Sequence, residues 1–161
     1  MPKFVLAAAF LALVPITLVA ETKVDVAARL LGYDLWQATG THAEVTPLPR
    51  IVVRSGSEGM IDVSSKYTYP KEFNARGKPT VERTAYLGIR FPIYVRENNG
   101  VVTYLGRVEL CEREDVANDL SAVLKTTTSF QGQLPLGRTY TIEVGAPRGR
   151  KARLEILMTR H

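Results

Sequence analysis

Residues 87–110 read LGIRFPIYVRENNGVVTYLGRVEL, and the first arm of this stretch alternates without a break. Leu87, Ile89, Phe91, Ile93 and Val95 fall on one face, while Gly88, Arg90, Pro92, Tyr94 and Arg96 fall on the other. A period of two with one wholly apolar face is that of a half-buried β-strand. Asn99-Gly100 then places together two residues that tolerate positive φ, the strongest short signal for a tight hairpin turn. The second arm answers with Val102, Tyr104, Val108 and Leu110. Pro92 lacks the N–H that a ladder needs, which predicts either an edge strand or a bulge at that point.

Outward from this hairpin, short β-rich runs separated by Gly, Pro, Asn and Ser continue in both directions. The runs are 24–31, 50–54, 60–63, 86–96, 101–111, 125–130, 139–144 and 153–159, with Ser55-Gly56-Ser57 reading as a hairpin turn. One segment has helical spacing: Val116, Leu120, Val123 and Leu124 fall at i, i+4, i+7 and i+8, and Asp115 is placed to cap it, although a connector turn fits as well. Residues 32–49 carry the only Trp, several turn formers and no sustained period, which predicts a long loop or a strand followed by a loop. No repeat or linker divides the chain. The expected fold class is mainly β, a single domain of antiparallel strands and hairpins with at most one short helix.

Composition agrees: 161 residues, 45% hydrophobic and 23% charged, form an ordinary globular mixture large enough for one core. Collagen, low-complexity disorder and disulfide-rich miniproteins are excluded. The net charge of +5 is too small a surplus to imply a nucleic-acid partner. Met1–Lys3 give a cationic start, and residues 4–20 (FVLAAAFLALVPITLVA) form an apolar run ending in a small residue. This is the layout of a signal peptide over 1–20, with a mature domain over 21–161; the bulky Leu18 leaves room for cleavage a few residues away. The alternative, an uncleaved anchor, is disfavoured because the run contains Pro15 and falls short of the roughly 20 apolar residues that a spanning helix needs. The protein is expected to be exported, to the periplasm or the outer membrane, with membrane contact left open.

Little in the sequence points to catalysis. Two histidines, His42 and His161, and one cysteine, Cys111, do not make a zinc site, and no cofactor motif is present. A single cysteine excludes an internal disulfide and reads first as a buried small hydrophobe, with an intermolecular bridge as the alternative. A Ser-His-acid triad would need His42, and no G-x-S-x-G elbow accompanies it. The carboxylates Glu112, Glu114 and Asp115 cluster at a strand end, which reads as a solvated turn. No enzyme is expected, and neither a cofactor nor a metal.

Two surface features stand out. Tyr86, Arg90, Pro92, Tyr94 and Arg96 share the outward face of one strand and form a candidate interaction face, because aromatics and Arg are enriched at protein interfaces; the plainer reading is an ordinary solvent-facing strand. Arg148, Arg150 and Lys151, in PRGRKAR, form a candidate anion-binding turn, the plainer reading being a charged hairpin turn between 139–144 and 153–159. Aromatics do not interleave with these cations, which argues against single-stranded nucleic acid.

Several segments, taken in order, resemble the C-terminal domain of the secretins, the outer-membrane ring proteins of type II and type III secretion and of type IV pili. Residues 49–56 (PRIVVRSG) resemble its opening strand and turn; 59–63 (GMIDV) and 69–73 (YPKEF) resemble the next strand. Residues 87–91 (LGIRF) with the Asn99-Gly100 turn resemble its V-G-V-x-L hairpin, while 123–130 (VLKTTTSF) and 154–160 (LEILMTR) resemble its late strands; 24–31 fits its first strand. The P-L-L-G segment is missing and the region between Leu110 and Val123 is shorter than the family's gate insert, so the resemblance implies a trimmed member without a complete pore. It implies a structural or interaction component of a secretion or pilus apparatus, self-associating or binding protein partners through strand edges. The alternative is a free periplasmic β-sandwich binding a ligand or polysaccharide on a concave surface lined by Tyr33, Trp36 and Tyr67.

Overall fold

The computed structural model describes residues 21–116 and 120–161; the predicted signal peptide lies outside the described residues, as do 117–119. Among the described residues nine strands follow one another: β1 (Lys23–Leu31), β2 (Val45–Pro47), β3 (Ile51–Arg54), β4 (Ser57–Phe73), β5 (Pro79–Asn98), β6 (Val101–Val116), β7 (Leu120–Pro135), β8 (Thr139–Ala146) and β9 (Arg150–Arg160). Among the described residues, a helical turn, α1 (Trp36–Thr39), and a 3₁₀ turn at Pro147–Gly149 are the other elements. Mainly β is the fold class, with all pairing antiparallel.

The strands form two sheets. The first has the order β2-β1-β9-β8, with β3 also pairing to β1; the second is the meander β4-β5-β6-β7. Alternation along each strand makes the core between them. Val24, Val26, Ala28 and Leu30 of β1 and Ala152, Leu154, Ile156 and Met158 of β9 face Ile89, Phe91, Ile93 and Val95 of β5 and Val102, Tyr104, Val108 and Leu110 of β6 in one cluster. Among the described residues, that cluster runs from Val24 to Met158. Gly106 leaves a gap in the inward series of β6, and the ring of its cross-strand partner Phe130 fills it: a Cβ built on Gly106 would lie 2.3 Å from Cζ of Phe130.

Four sequence expectations change. Pro92 lies in an interior strand, between β4 and β6, and there is no register shift beside it. The β5–β6 ladder stops at Arg90↔Glu109 and resumes at Ile93↔Gly106 in the same register, so the missing donor is absorbed as an interruption of the ladder. Second, the helical spacing at Val116, Leu120, Val123 and Leu124 belongs to the distal ends of β6 and β7, where Asp115 pairs with Ser121 and Val116 with Leu120. A neighbouring strand in register satisfies this backbone, and the local period is overridden by pairing. Third, Ser55-Gly56 closes no hairpin: β3 pairs with β1 and β4 with β5, so this turn is the corner where the chain passes from one sheet to the other. Gly56 takes the positive φ of 85° that the corner requires and donates its N–H to the Val95 carbonyl at 2.8 Å. Finally, residues 32–49 hold α1 and β2, the latter paired to the end of β1.

Candidate functional site

Among the described residues, the second sheet pairs with no further strand on either side. β4, 17 residues long, and β7, 16 residues long, each carry a ladder on one side only. Both strands extend well beyond the sequence-predicted runs 60–63 and 125–130, and the sheet divides towards their far ends. β5 and β6 pair from Asn98↔Val101 to Gly88↔Cys111, and there the ladder ends while β4–β5 and β6–β7 go on as separate hairpin arms.

The segment at 33–40 is clamped at this fork. The Gln37 side chain pairs with the backbone of Arg113 as a strand would, donating from Nε2 to the carbonyl at 3.1 Å and accepting the N–H at 2.7 Å. Ser65 Oγ on β4 donates to the Gln37 carbonyl at 3.0 Å. Gly88 makes the fit close: its φ is 125°, and a Cβ there would lie 2.2 Å from the Val63 carbonyl oxygen and 2.7 Å from Cβ of Ala38.

A charge cluster locks the opposite side of the fork. Glu112, nearly buried, accepts from Tyr33 Oη at 3.0 Å, from Arg148 Nε at 2.7 Å and from Arg150 Nη2. Arg150 also sits 5.1 Å from the Tyr33 ring centroid. Burial, with the neighbouring Glu112 charge, pushes the Tyr33 hydroxyl up, so it stays a proton donor to that carboxylate. The anion that Arg148 and Arg150 of the predicted anion-binding turn meet is therefore this chain's own Glu112; Lys151 pairs with Glu143 at 2.7 Å. Glu112, expected from the sequence in a solvated turn, is thus an internal hub.

The predicted interaction face stays together. Tyr86 and Arg96 are exposed, Arg90, Pro92 and Tyr94 half-buried, and the Arg90 guanidinium lies 5.3 Å from the Tyr86 ring centroid while Nε reaches Asp62 at 3.2 Å. Cross-strand pairing adds two residues that the sequence reading missed. Met60 opposes Pro92 and Leu105 opposes Tyr94, and both are exposed, Leu105 by 54%. Their signal was an apolar residue on the outward phase of a strand.

The other candidates separate. Tyr33 and Trp36 line one cleft of about 160 Å³ with Gln37, Cys111 and Glu112, but Tyr67 is not part of it and stacks on Tyr69 at 5.8 Å. Cys111 is a half-buried free thiol, and burial raises its pKa. His42 is exposed, bonded through Nδ1 to Asp34 and set 5.6 Å from the Trp36 ring. No cluster of three metal-ligating side chains occurs among the described residues.

No family model matches the chain, and no curated protein matches it in sequence. Solved structures do match in shape. The cryo-EM structure of the secretin InvG of the Salmonella SPI-1 type III secretion injectisome superposes with a TM-score of 0.55 at 12% identity, covering 89% of this chain and 66% of that one. The fold is secretin-like. The InvG secretin-domain β-barrel of the same injectisome gives the same score and identity over 89% of this chain and 64% of that one. In the Salmonella basal-body assembly of InvG with PrgH and PrgK the figures are again 0.55, 12% and 89%, with 46% of the matched chain covered. This chain thus spans less than two thirds of those secretin chains.

Proposed function

We propose that this protein is an exported, non-enzymatic structural subunit of the envelope that assembles through its open strand edges, as a component of a protein secretion or pilus apparatus. The observation that carries the reading is the pair of long edge strands, each laddered on one side only among the described residues, on opposite sides of one four-stranded sheet, in a fold that is secretin-like. A strand edge presents unpaired N–H and C=O groups, and natural proteins that do not use such edges shorten or cover them. Here one edge is β4 and the other is β7, so a second copy would join β4 of one subunit to β7 of the next. Such a contact is head-to-tail, and it closes a ring where the rotation between neighbouring subunits divides a full turn. The face bearing Tyr86, Arg90, Pro92, Tyr94 and Arg96, broadened by Met60 and Leu105, would then lie on one surface of the continuous sheet, available to a protein partner.

Size-exclusion chromatography with light scattering on residues 21–161, with and without detergent, tests the assembly. A multimer of many subunits is the expected result. A monodisperse monomer in both conditions would overturn it and favour a free periplasmic β-sandwich.

A further inference from the structure

None of the cations on the distal arm of β4–β5 takes part in an ion pair among the described residues, whereas most cations of the body do, Lys23, Arg96, Arg138 and Arg153 being the exceptions. On the body, Arg29, Arg50, Arg54, Arg90, Lys125 and Arg160 each face a carboxylate, as do the three cations of the β8–β9 turn. On the arm, Lys66, Lys71, Arg76, Lys78 and Arg83 take part in none of the ion pairs among the described residues, with Glu72 and Glu82 the only acids between them. The arm therefore carries a surplus of three positive charges.

Its tip is also built to hold a shape. Asn74 Oδ1 accepts the N–H of Arg76 at 2.9 Å and of Lys78 at 3.0 Å, and the Asn74 N–H reaches the Lys78 carbonyl at 2.9 Å. This closed turn projects Arg76 and Lys78 from a fixed backbone. Beside it two apolar side chains stand in solvent: Phe73, 42% exposed, opposite Pro79, and Val81, 39% exposed, opposite Glu72. All residues from 71 to 84 are exposed.

Fixed cations without internal partners, flanking an exposed aromatic and a Val, match the chemistry of an anionic bilayer surface, where phosphates meet the boundary of the acyl chains. The tip at residues 71–84 (KEFNARGKPTVERT) lacks the roughly 9–11 residue alternation of a membrane strand, so its contact is expected at headgroup depth. Nucleic acid fits less well, because Tyr67 and Tyr69 stack on each other and present no free platform for bases. We propose that the β4–β5 arm docks peripherally on an anionic lipid surface, with Lys71, Arg76, Lys78 and Arg83 at the phosphates and Phe73 and Val81 at the acyl boundary. This contact needs no edge pairing, so it stands or falls separately from the assembly proposed above.

Flotation of the domain with vesicles of equal parts phosphatidylglycerol and phosphatidylcholine, against phosphatidylcholine alone, tests it. Binding is expected to the anionic vesicles only and to weaken as salt is raised, since exposed charges are screened. The double variant R76E/K78E is expected to weaken it at least about tenfold. Phe73→Ser is expected to weaken it several-fold while the salt dependence remains. Light scattering on each variant keeps a change in assembly distinct from a change in lipid binding, and an unchanged melting temperature shows the fold intact. Equal binding to both vesicle types, or full binding by R76E/K78E, would overturn the proposal; so would tighter binding to a single-stranded oligonucleotide than to the anionic vesicles.

Discussion

The body of the sandwich and the β4–β5 arm are made of the same strands, yet they use their sequences in opposite ways. Within the body the inward residues of β5, from Ile89 to Val95, are inaccessible to water, and Arg90 and Arg160 meet the carboxylates of Asp62 and Glu97. A few residues earlier along the same strand, from Pro79 to Thr84, every position is exposed, and no ion pair involves the arm's cations. Strand formation therefore does not require burial on both hairpin arms: the arm rests on its ladder to β4 and on its tip turn, the body on packing between sheets. What separates the two is the fork at Gly88 and Cys111, where Gln37 replaces a strand.

The largest expected contrast is between two phenylalanines. Phe91→Ala empties a position in the core and is expected to cost about 3–5 kcal/mol, whereas Phe73→Ala on the arm should stay within about 0.5 kcal/mol, both read by denaturant unfolding. Equal losses would break the division between body and arm. Gly88→Val adds atoms where even a Cβ lies 2.2 Å from the Val63 carbonyl oxygen, at a φ that L side chains avoid; about 2–4 kcal/mol of destabilisation is expected, again from denaturant unfolding. A tolerated Gly88→Val would show that the clamp at the fork gives way. Glu112→Gln leaves Arg148 and Arg150 without their carboxylate and is expected to cost about 2 kcal/mol, less than for a fully buried pair because both arginines are about half exposed.

Acid sharpens the comparison more gently. The Gly100 N–H and Arg160 hold the Glu97 carboxyl below its usual value of 4.5. At Asp25 burial opposes ionisation, but hydrogen bonds from Arg50 and His161 outweigh it and lower the pKa from 3.8. A folded pKa below the unfolded one gives stability that is fully present above the unfolded value and lost as pH falls through the folded one. The melting temperature is expected to be level above pH 4.5 and to fall below it, with Glu97→Gln and Asp25→Asn flattening that fall. The arm, whose charges make no ion pairs, should contribute nothing to it: Lys78→Gln should leave the profile unchanged.

The hairpin at 87–110 was legible because alternation and Asn-Gly both act locally, through the pleat and through positive φ. The same logic failed at its margins. Runs such as 60–63 and 125–130 are short in the sequence pattern, and the ladder carries β4 and β7 well past those limits. Pro92 suggested an edge because an absent N–H is a local fact, whereas the number of neighbouring strands is not. Of the surface features, the face around Tyr94 could be read from period two, but Met60 and Leu105 joined it only through cross-strand register. The basic turn was visible in PRGRKAR; its partner Glu112 lies 36 residues away from Arg148 and became visible only on folding.

By itself, then, the sequence determined the strand-rich class, the inward and outward phase of each strand and the sharp turn at Asn99-Gly100, because these depend on residues within a few positions of one another. The tertiary structure decided which strands neighbour which, where the ladder between β5 and β6 ends, and which arginines face a carboxylate. Those outcomes depend on contacts between distant segments, whose loop-closure cost is repaid only when two sheets close on one core.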